Sequence, residues 1–296
     1  MNGIINIFKP RGITSHDVIK ELRRQLGIKK IGHTGTLDPN ATGVLPVCIG
    51  KGTRISEYLL NVSKEYVAEL TLGIATDTQD IDGKVIAYSD KKVTVEEIYR
   101  AFDSFKGEIE QIPPMYSAIK VKGKKLYELA REGEIVERKP RKVNIYDLQI
   151  RNICDNKIIF YVKCSKGTYI RTLCDDIGKL LGTYGYMSYL TRVGVGEFKI
   201  CDSISMDYIK RMDKEELESF ICPLDKSLSH LKSLKVDDRY YKQLINGTAI
   251  PVSDYNSLEN KLSEPLRVYC RGSFIGIGLL TSRNHTVNIK MDKVLL

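Results

Sequence analysis

Residues 32–43 read GHTGTLDPNATG, a loop-like stretch in which one carboxylate, Asp38, stands among glycines and threonines. Gly32, Gly35 and Gly43 allow backbone conformations that residues with a Cβ atom disfavour. Two interpretations of Asp38 are open. An aspartate before a proline can form an Asx-turn. A lone loop aspartate can instead act as a covalent nucleophile, and it then needs a neighbouring cation that keeps it ionised.

Regular elements are predicted on both sides of this loop. Before it, apolar residues repeat at helical spacing from Val18 to Leu26, between possible N-caps at Thr14 and Ser15 and a terminating Gly27. After it, alternation and capping signals predict further elements. These are strands at 65–72, 143–150, 157–164 and 185–200, and helices at 94–107 and 168–182. Beyond about residue 230, short strands and turns predict a compact β-rich module.

The composition is that of an ordinary globular protein, with 296 residues, 42% hydrophobic and 28% charged. No apolar run approaches the roughly 18 residues of a membrane helix, and no signal peptide is evident, so we expect a cytoplasmic protein. Seven cysteines without a Cys-x-x-Cys pattern predict neither disulfides nor a zinc site. A net charge of +9 favours a polyanionic partner such as nucleic acid, although solubility alone could explain it.

Much of this charge lies in residues 120–142, which hold nine Lys or Arg and four Asp or Glu. The segment follows QIPPMYSAI, whose two prolines break any helix. Two interpretations are open: a solvated helical face with Glu–Lys pairs, or a mobile basic arm that binds a phosphate backbone.

Two other motifs resemble binding loops but lack the residue spacing that such loops require. Asp77, Asp80 and Asp82 before Gly83 resemble a calcium loop, but Thr78 and Ser89 occupy the positions that require acids, so a turn before a strand is predicted and no metal is expected. GKGT at 50–53 lacks the Gly-Lys-Ser/Thr ending of a phosphate loop.

The segment GHTGTLDPNATGVLPVCIGKGTR resembles the catalytic signature of the TruB family, the tRNA pseudouridine-55 synthases. Further matching blocks follow the family's order: FKPRGITS before the loop, and after it KEYVAEL, TDTQDIDG, IPPMYSAIKVKGKKLYELAREG and SKGTYIRTLCDDIGKLLG. The resemblance extends to about residue 230, and a looser one to PUA-type RNA-binding domains covers LINGTAIP and RGSFIGIGLL.

The resemblance implies that the protein converts a T-loop uridine of tRNA to pseudouridine without a cofactor. Asp38 would be the nucleophile, attacking either the ribose C1′ or the base C6. Arg171 would keep Asp38 anionic, and Asp80 would support the polar network around it. Because a base inside a folded loop must be flipped out, further residues would bind it: His33 would enter the T-loop, Tyr66 would stack on the base, and Tyr169 and Leu190 would line the pocket.

The resemblance also implies the architecture. The fold would be α+β, with a mixed, largely antiparallel sheet, flanking helices and a small C-terminal β-rich domain. Residues 1–230 would form the catalytic domain, an insertion at about 113–143 would close on the T-loop, and residues 231–296 would form a PUA-like domain. We expect a monomer that contacts the T-loop and elbow of tRNA without a protein partner or membrane. Two alternatives remain: a non-catalytic tRNA-folding chaperone, and a guide-dependent synthase that needs partners.

Overall fold

The computed structural model describes residues 1–121, 123–252, 262–283 and 286–296. Its helices are, in chain order, Ser15–Leu26 (α1), Ser56–Leu60 (α2), Val95–Ser104 (α3), Leu126–Arg131 (α4), Ile170–Leu181 (α5), Met206–Arg211 (α6), Lys214–Ser219 (α7), Leu224–Ser227 (α8) and Tyr241–Ile245 (α9).

The strands begin with β1 at Gly3–Lys9 and end with β19 at Thr286–Val294. Between them lie Ile31–His33 (β2), Thr42–Ile49 (β3), Lys64–Leu72 (β4), Ile74–Thr76 (β5), Val85–Tyr88 (β6), Gly107–Gln111 (β7), Lys120–Val121 (β8), Lys124–Lys125 (β9), Arg141–Cys154 (β10), Lys157–Cys164 (β11), Gly185–Val195 (β12), Phe198–Lys199 (β13), Ile204–Ser205 (β14), Ser233–Lys235 (β15), Ile250–Pro251 (β16), Pro265–Cys270 (β17) and Ser273–Arg283 (β18).

The main sheet is mixed and largely antiparallel, as the sequence predicts. Its strand order is β14-β1-β3-β12-β4-β11-β10-β7, with β2 beside β3 and β13 beside β12. Only the β1–β14 and β3–β12 pairs among these are parallel. The parallel pairing of β3 with β12 joins the loop that carries Asp38 to the strand that carries Leu190, although these segments are far apart in sequence.

Helices flank this sheet, and their ends follow the predicted local signals. Helix α1 begins at the capping box of Thr14 and Asp17 and ends at Gly27, which is left-handed at φ 67°. Helix α5 ends in the same way at Gly182. Its buried face packs on the core of β4, β11 and β12, and this packing fixes the helix that carries Arg171.

A second sheet contains the C-terminal strands in the order β15-β17-β18-β19-β16. It encloses its own apolar core, which includes Leu244, Val268 and Ile289. Another apolar cluster joins this sheet to the first part of the chain, because Ile277 and Leu295 pack with Ile4, Cys48, Leu224 and their neighbours.

The basic segment 120–142 does not form one continuous helical face, as the first of the two interpretations requires, whereas binding of a phosphate backbone stays a prediction. It contains the β8–β9 hairpin and the six-residue helix α4, followed by irregular chain before β10. Lys125 and Arg131 lie over the ring of Tyr127, at 5.2 and 5.6 Å from its centroid. Within the described part of the chain, no helix is long and apolar enough to cross a membrane.

Candidate active site

Asp38 lies in a tight turn that leads into β3. Its carbonyl oxygen accepts a hydrogen bond from the Ala41 amide at 3.1 Å, and Pro39 occupies the second turn position, where its fixed φ is favourable. The Asp38 side chain is 43% exposed, and its carboxylate lies 3.2 Å from Nε of Arg171. Among the described residues the Asp38 carboxylate contacts this guanidinium and accepts no hydrogen bond from a backbone amide of its own turn.

Lys9, at the end of β1, stabilises this turn through hydrogen bonds to backbone carbonyls. Its side chain is fully buried, and Nζ donates hydrogen bonds to the carbonyl oxygens of Pro10 and Ile13, both at 2.8 Å, and of Pro39 at 3.1 Å. Burial lowers the pKa of Lys9 to about 8, and the negative charge of Asp38 partly opposes that shift. The ammonium group therefore fixes the backbone next to the carboxylate.

Arg171 connects three segments of the chain through three different nitrogens. Nε faces Asp38, Nη1 lies 3.3 Å from a carboxylate oxygen of Asp80, and Nη2 donates to the Tyr116 carbonyl oxygen at 2.8 Å. The arginine side chain is 8% exposed, so its charge is poorly solvated and these partners replace water. This is the cation that a nucleophilic aspartate requires.

Asp80 lines the same cleft as Asp38 and is fixed by its own loop. Its Oδ1 accepts hydrogen bonds from the Thr78 hydroxyl at 2.5 Å and the Asp82 amide at 3.1 Å. Burial raises the pKa of Asp80, and the Thr78 hydrogen bond and the Arg171 charge oppose this rise. The neighbouring acids point elsewhere, Asp77 to the Lys84 amide and Asp82 to the Asn40 side chain, as expected for a turn before β6.

Arg192 on β12 is a second buried cation in this region. It is 3% exposed and donates from Nε to the Val44 carbonyl at 2.7 Å and from Nη2 to the Gly35 carbonyl at 3.1 Å. Burial lowers the pKa of this guanidinium. Burial also raises the pKa of Tyr66 to about 12, and the charge of Arg192 opposes this rise. Tyr66 is therefore a neutral phenol at physiological pH.

Gly43 permits the close approach of β3 and β12 beside this arginine. A Cβ at Gly43, where φ is 106°, would lie 2.1 Å from the Arg192 carbonyl oxygen. No other residue fits this position without moving one of the two strands.

A shallow cleft opens in front of Asp38. Its walls include Arg11, Asp38, Asp80, Ile81, Tyr189 and Leu190. The structure thus brings Asp38, Arg171 and Leu190 together, with Asp80 beside them.

The other predicted site residues, His33, Tyr66 and Tyr169, are not among the described residues that line this cleft. His33 ends β2, its Nδ1 accepts from the Gly35 amide at 3.3 Å, and burial lowers its pKa, which favours the neutral ring. Tyr66 lies on β4 opposite Arg192 of β12. Tyr169 is the N-cap residue of α5, and both its backbone amide and its carbonyl bond the Gln111 side chain.

The sequence analysis assigned no role to three contributors to the site: the buried Lys9 and Arg192, and the Tyr116 carbonyl. A charged residue inside an apolar strand signals a buried cation with fixed partners, and both GIINIFK and YLTRVGV contain one. The Tyr116 carbonyl gives no such signal, because every residue has a carbonyl group.

Comparison with known proteins identifies the class. The model of the TruB family pseudouridylate synthase N-terminal domain matches residues 23–170, and that of the tRNA pseudouridylate synthase B C-terminal domain matches residues 171–229. The fold is therefore that of a pseudouridylate synthase.

Full-length relatives narrow the class to one family. The chain is 48% identical over 297 residues to the tRNA pseudouridine synthase B of Alkaliphilus oremlandii, covering 100% of this chain and 98% of that protein. It is 45% identical to the protein of the same name from Clostridioides difficile, with 100% of both chains covered. The chain belongs to the TruB family of pseudouridylate synthases.

Two solved structures with similar folds are more distant in sequence than these relatives. A chain in a crystal structure of a Cbf5–Nop10–Gar1 complex aligns with a TM-score of 0.75 and 27% identity, covering 99% of this chain and 84% of that one. A chain of an H/ACA ribonucleoprotein bound to a substrate RNA containing 2′-deoxyuridine aligns with the same TM-score and 25% identity, covering 99% and 85%.

Proposed function

We propose that the protein isomerises uridine to pseudouridine in tRNA, at position 55 of the T-loop. The contact of Arg171 with Asp38, in a chain of the TruB family, carries this proposal. The full-length relatives named tRNA pseudouridine synthase B support tRNA as the substrate.

The reaction needs a nucleophile and proton transfer but no redox step. The N1–C1′ bond breaks, the base turns, and a new bond joins C5 to C1′. C5 loses a proton and N1 gains one, so product and substrate are isomers and no cofactor is consumed. Asp38 is the nucleophile, and Arg171 keeps it ionised and directed into the cleft.

The remaining residues bind the flipped base. Tyr66 stacks on it with a neutral ring, and Leu190 and Tyr169 form apolar surfaces around it. His33 takes the space that the base leaves in the T-loop. Flipping costs a few kcal/mol in lost stacking, and these contacts offset that cost.

Larger segments bind the rest of the tRNA. The insertion at about 113–143 closes over the T-loop with its excess of positive charge, and residues 231–296 act as a PUA-like RNA-binding domain. The protein works in the cytoplasm as a monomer and needs no protein partner. The chain is 45–48% identical to full-length relatives named tRNA pseudouridine synthase B, but only 25–27% identical to chains solved in ribonucleoprotein complexes. This difference favours an enzyme that works alone over a guide-dependent enzyme.

A tritium-release assay tests the proposal. Purified protein is incubated with unmodified tRNA that carries tritium at C5 of uridine, and release into water is measured. We expect one equivalent per tRNA, and none when the T-loop uridine is replaced by cytidine. Asp38→Asn should abolish release while tRNA affinity is retained. Asp207→Asn, on the exposed side of α6, is the matched control and should react normally.

The rival functions predict different results. A tRNA-folding chaperone would release no tritium, and its folding activity would survive Asp38→Asn. A guide-dependent synthase would release tritium only after a guide RNA and partner proteins are added. Absence of release from the isolated wild-type protein, with tRNA still bound, would therefore reject the proposed function.

A further inference from the structure

Gln79 stands directly before Asp80 and ties their shared loop to helix α5. Its Nε2 donates to a carboxylate oxygen of Asp175 at 2.7 Å, and its Oε1 accepts from the Thr172 hydroxyl at 3.0 Å. Thr172 and Asp175 are buried, being 2% and 5% exposed. Both hydrogen bonds of this amide therefore reach the helix that carries Arg171.

The backbone of Gln79 is also constrained. Its φ is 63°, a left-handed conformation that costs a non-glycine residue free energy. Its carbonyl accepts from the Met187 amide at 3.0 Å, which attaches the loop to β12. The left-handed turn directs the Gln79 side chain to α5, while the next residue, Asp80, reaches the Arg171 guanidinium on the same helix.

We infer that Gln79 is a positioning residue for the reaction: its carboxamide fixes the Asp80 loop against α5, and so sets the direction in which Arg171 presents its Nε to Asp38. The inference rests on the proposed function. Gln79 and Asp80 attach the loop to the same helix at two points, whereas the loop's contacts to β12 and within itself do not reach α5 and so do not set its position relative to Arg171.

A purely structural role would look different. The loop keeps other fixed contacts without the Gln79 side chain, namely the Thr76 hydroxyl to the Asp80 carbonyl at 2.8 Å and the Met187 amide to the Gln79 carbonyl. Gln79→Gly should therefore fold, because glycine favours a left-handed φ. It removes only the two side-chain hydrogen bonds to α5.

The contact between Gln79 and Asp175 can also be tested by pH, through a substitution whose effect on the rate depends on protonation. Gln79→Glu has nearly the same shape as glutamine, but when ionised it opposes the carboxylate of Asp175. Once a proton is shared between these groups, a donor to Asp175 is restored. Thr172 and Asp175 on α5 bond the Gln79 side chain, and Lys179 pairs with Asp175 at 2.6 Å. Asp176, whose pKa is raised to about 6 by burial and by the charge of Asp175, also titrates here, and it does so in the wild type too, so the comparison at equal pH corrects for it. The variant should therefore regain function as the pH falls.

The experiment measures single-turnover tritium release from tRNA between pH 6 and pH 8.5, together with tRNA affinity. For Gln79→Gly we expect a loss of about tenfold in rate with affinity changed by less than about twofold. For Gln79→Glu, the rate relative to wild type at the same pH should rise at least about fivefold from pH 8.5 to pH 6. Gln149→Glu makes the same change in the exposed Gln149–Asp147 pair of β10, and its ratio should stay flat.

Three results would overturn the inference. The first is a wild-type rate for Gln79→Gly, the second is a Gln79→Glu ratio that does not vary with pH, and the third is a loss of tRNA affinity and thermal stability in proportion to rate in both variants. An inactive wild-type protein would instead reject the proposed function, and the inference would fall with it.

Discussion

At the residue scale, the site depends on one guanidinium with three differently placed partners. Arg171 uses separate nitrogens for Asp38, Asp80 and the Tyr116 carbonyl. Arg171→Lys keeps the charge but provides a single nitrogen, which cannot satisfy all three positions. We expect single-turnover tritium release to fall by roughly 10²-fold, with tRNA affinity little changed.

The matched control is Arg151→Lys, on the exposed part of β10, where the guanidinium lies 5.5 Å from the centroid of the Tyr161 ring. It should react at the wild-type rate. If Arg171→Lys also did so, charge alone would suffice and the fork geometry would have no role in directing Asp38.

Lys9 makes a prediction about stability and pH. Burial lowers its pKa to about 8, whereas in the unfolded chain it is near 10.5. Between these values the unfolded state binds more protons than the folded state, so wild-type stability rises with pH through this window. Lys9→Met lacks this contribution, and it leaves the carbonyls of Pro10, Ile13 and Pro39 without their donor.

We therefore expect Lys9→Met to be less stable by about 2 kcal/mol at pH 7. The difference in free energy of unfolding between the wild type and Lys9→Met should increase by up to about 3 kcal/mol between pH 8 and pH 10.5. Urea unfolding at several pH values measures it. Other groups that titrate in this range, such as Lys64, are common to both proteins and cancel. A gap that does not change with pH would mean that Lys9 is not held as a buried cation.

Residue types with a chemical signature could be predicted from the sequence, and residues that act through position could not. Asp38 and Arg171 stand in motifs that indicate their chemistry, and in the structure Nε of Arg171 lies 3.2 Å from a carboxylate oxygen of Asp38. Gln79 looks like an ordinary polar residue in the sequence, and Lys9 stands out only as a charge at the end of an apolar strand. Their importance comes from burial and from a left-handed φ of 63°, which only the folded chain defines.

At the scale of elements, helix α1 is the clearest case of local control. The Thr14 hydroxyl accepts from the Asp17 amide at 3.1 Å, and Asp17 accepts from the Thr14 amide at 2.8 Å. Thr14→Ala should cost about 1 kcal/mol and lower Tm by about 2–4 °C. Thr14→Ser, which keeps the hydroxyl, should behave like wild type in a thermal melt.

Activity should survive this substitution. The neighbouring Ser15 hydroxyl, which accepts from the Leu37 amide at 2.9 Å, still attaches α1 to the Asp38 loop. A large loss of tritium release by Thr14→Ala would show that the cap itself, and not Ser15, holds the loop.

The sequence predicts elements whose ends carry local signals. It predicts the ends less accurately where pairing with another strand sets them. Helix α3 starts at the predicted Thr94–Glu97 box but ends at Ser104, because β7 begins at Gly107 with φ 91°. Strand β10 continues past the predicted residue 150 to Cys154, since its pairing with β11 runs to the end of the hairpin. Helix α4 and the β8–β9 hairpin share one charged segment whose pattern fits no single element.

At the scale of the whole molecule, the strand order depends on pairs that no local pattern encodes. The class of sheet was predicted, but the parallel contact of Thr191 with Thr42 joins two segments that are far apart in the chain. The same contact brings the Asp38 loop and β12 to one cleft, and the Arg171 side chain of α5 contacts Asp38. The sequence could therefore name the chemical groups, while the topology decides which of them meet.

The charge of the molecule makes the last prediction. The chain has a net charge of +9, and residues 120–142 carry an excess of five positive charges. Each lysine that contacts a phosphate releases counterions, so the logarithm of tRNA affinity should fall linearly with the logarithm of salt concentration. Replacing the exposed Lys120 and Lys139 with glutamine should reduce that slope by about 2 and weaken binding roughly tenfold at moderate salt.

The matched control replaces the exposed Lys210 and Lys214, in α6 and α7, which removes the same charge outside the insertion. If the insertion holds the RNA, only the first pair of substitutions changes the slope, and single-turnover release at saturating protein stays close to wild type for both variants. An equal reduction in slope for the two pairs would mean that the tRNA responds to net charge alone, and the insertion would lose its assigned role as a clamp.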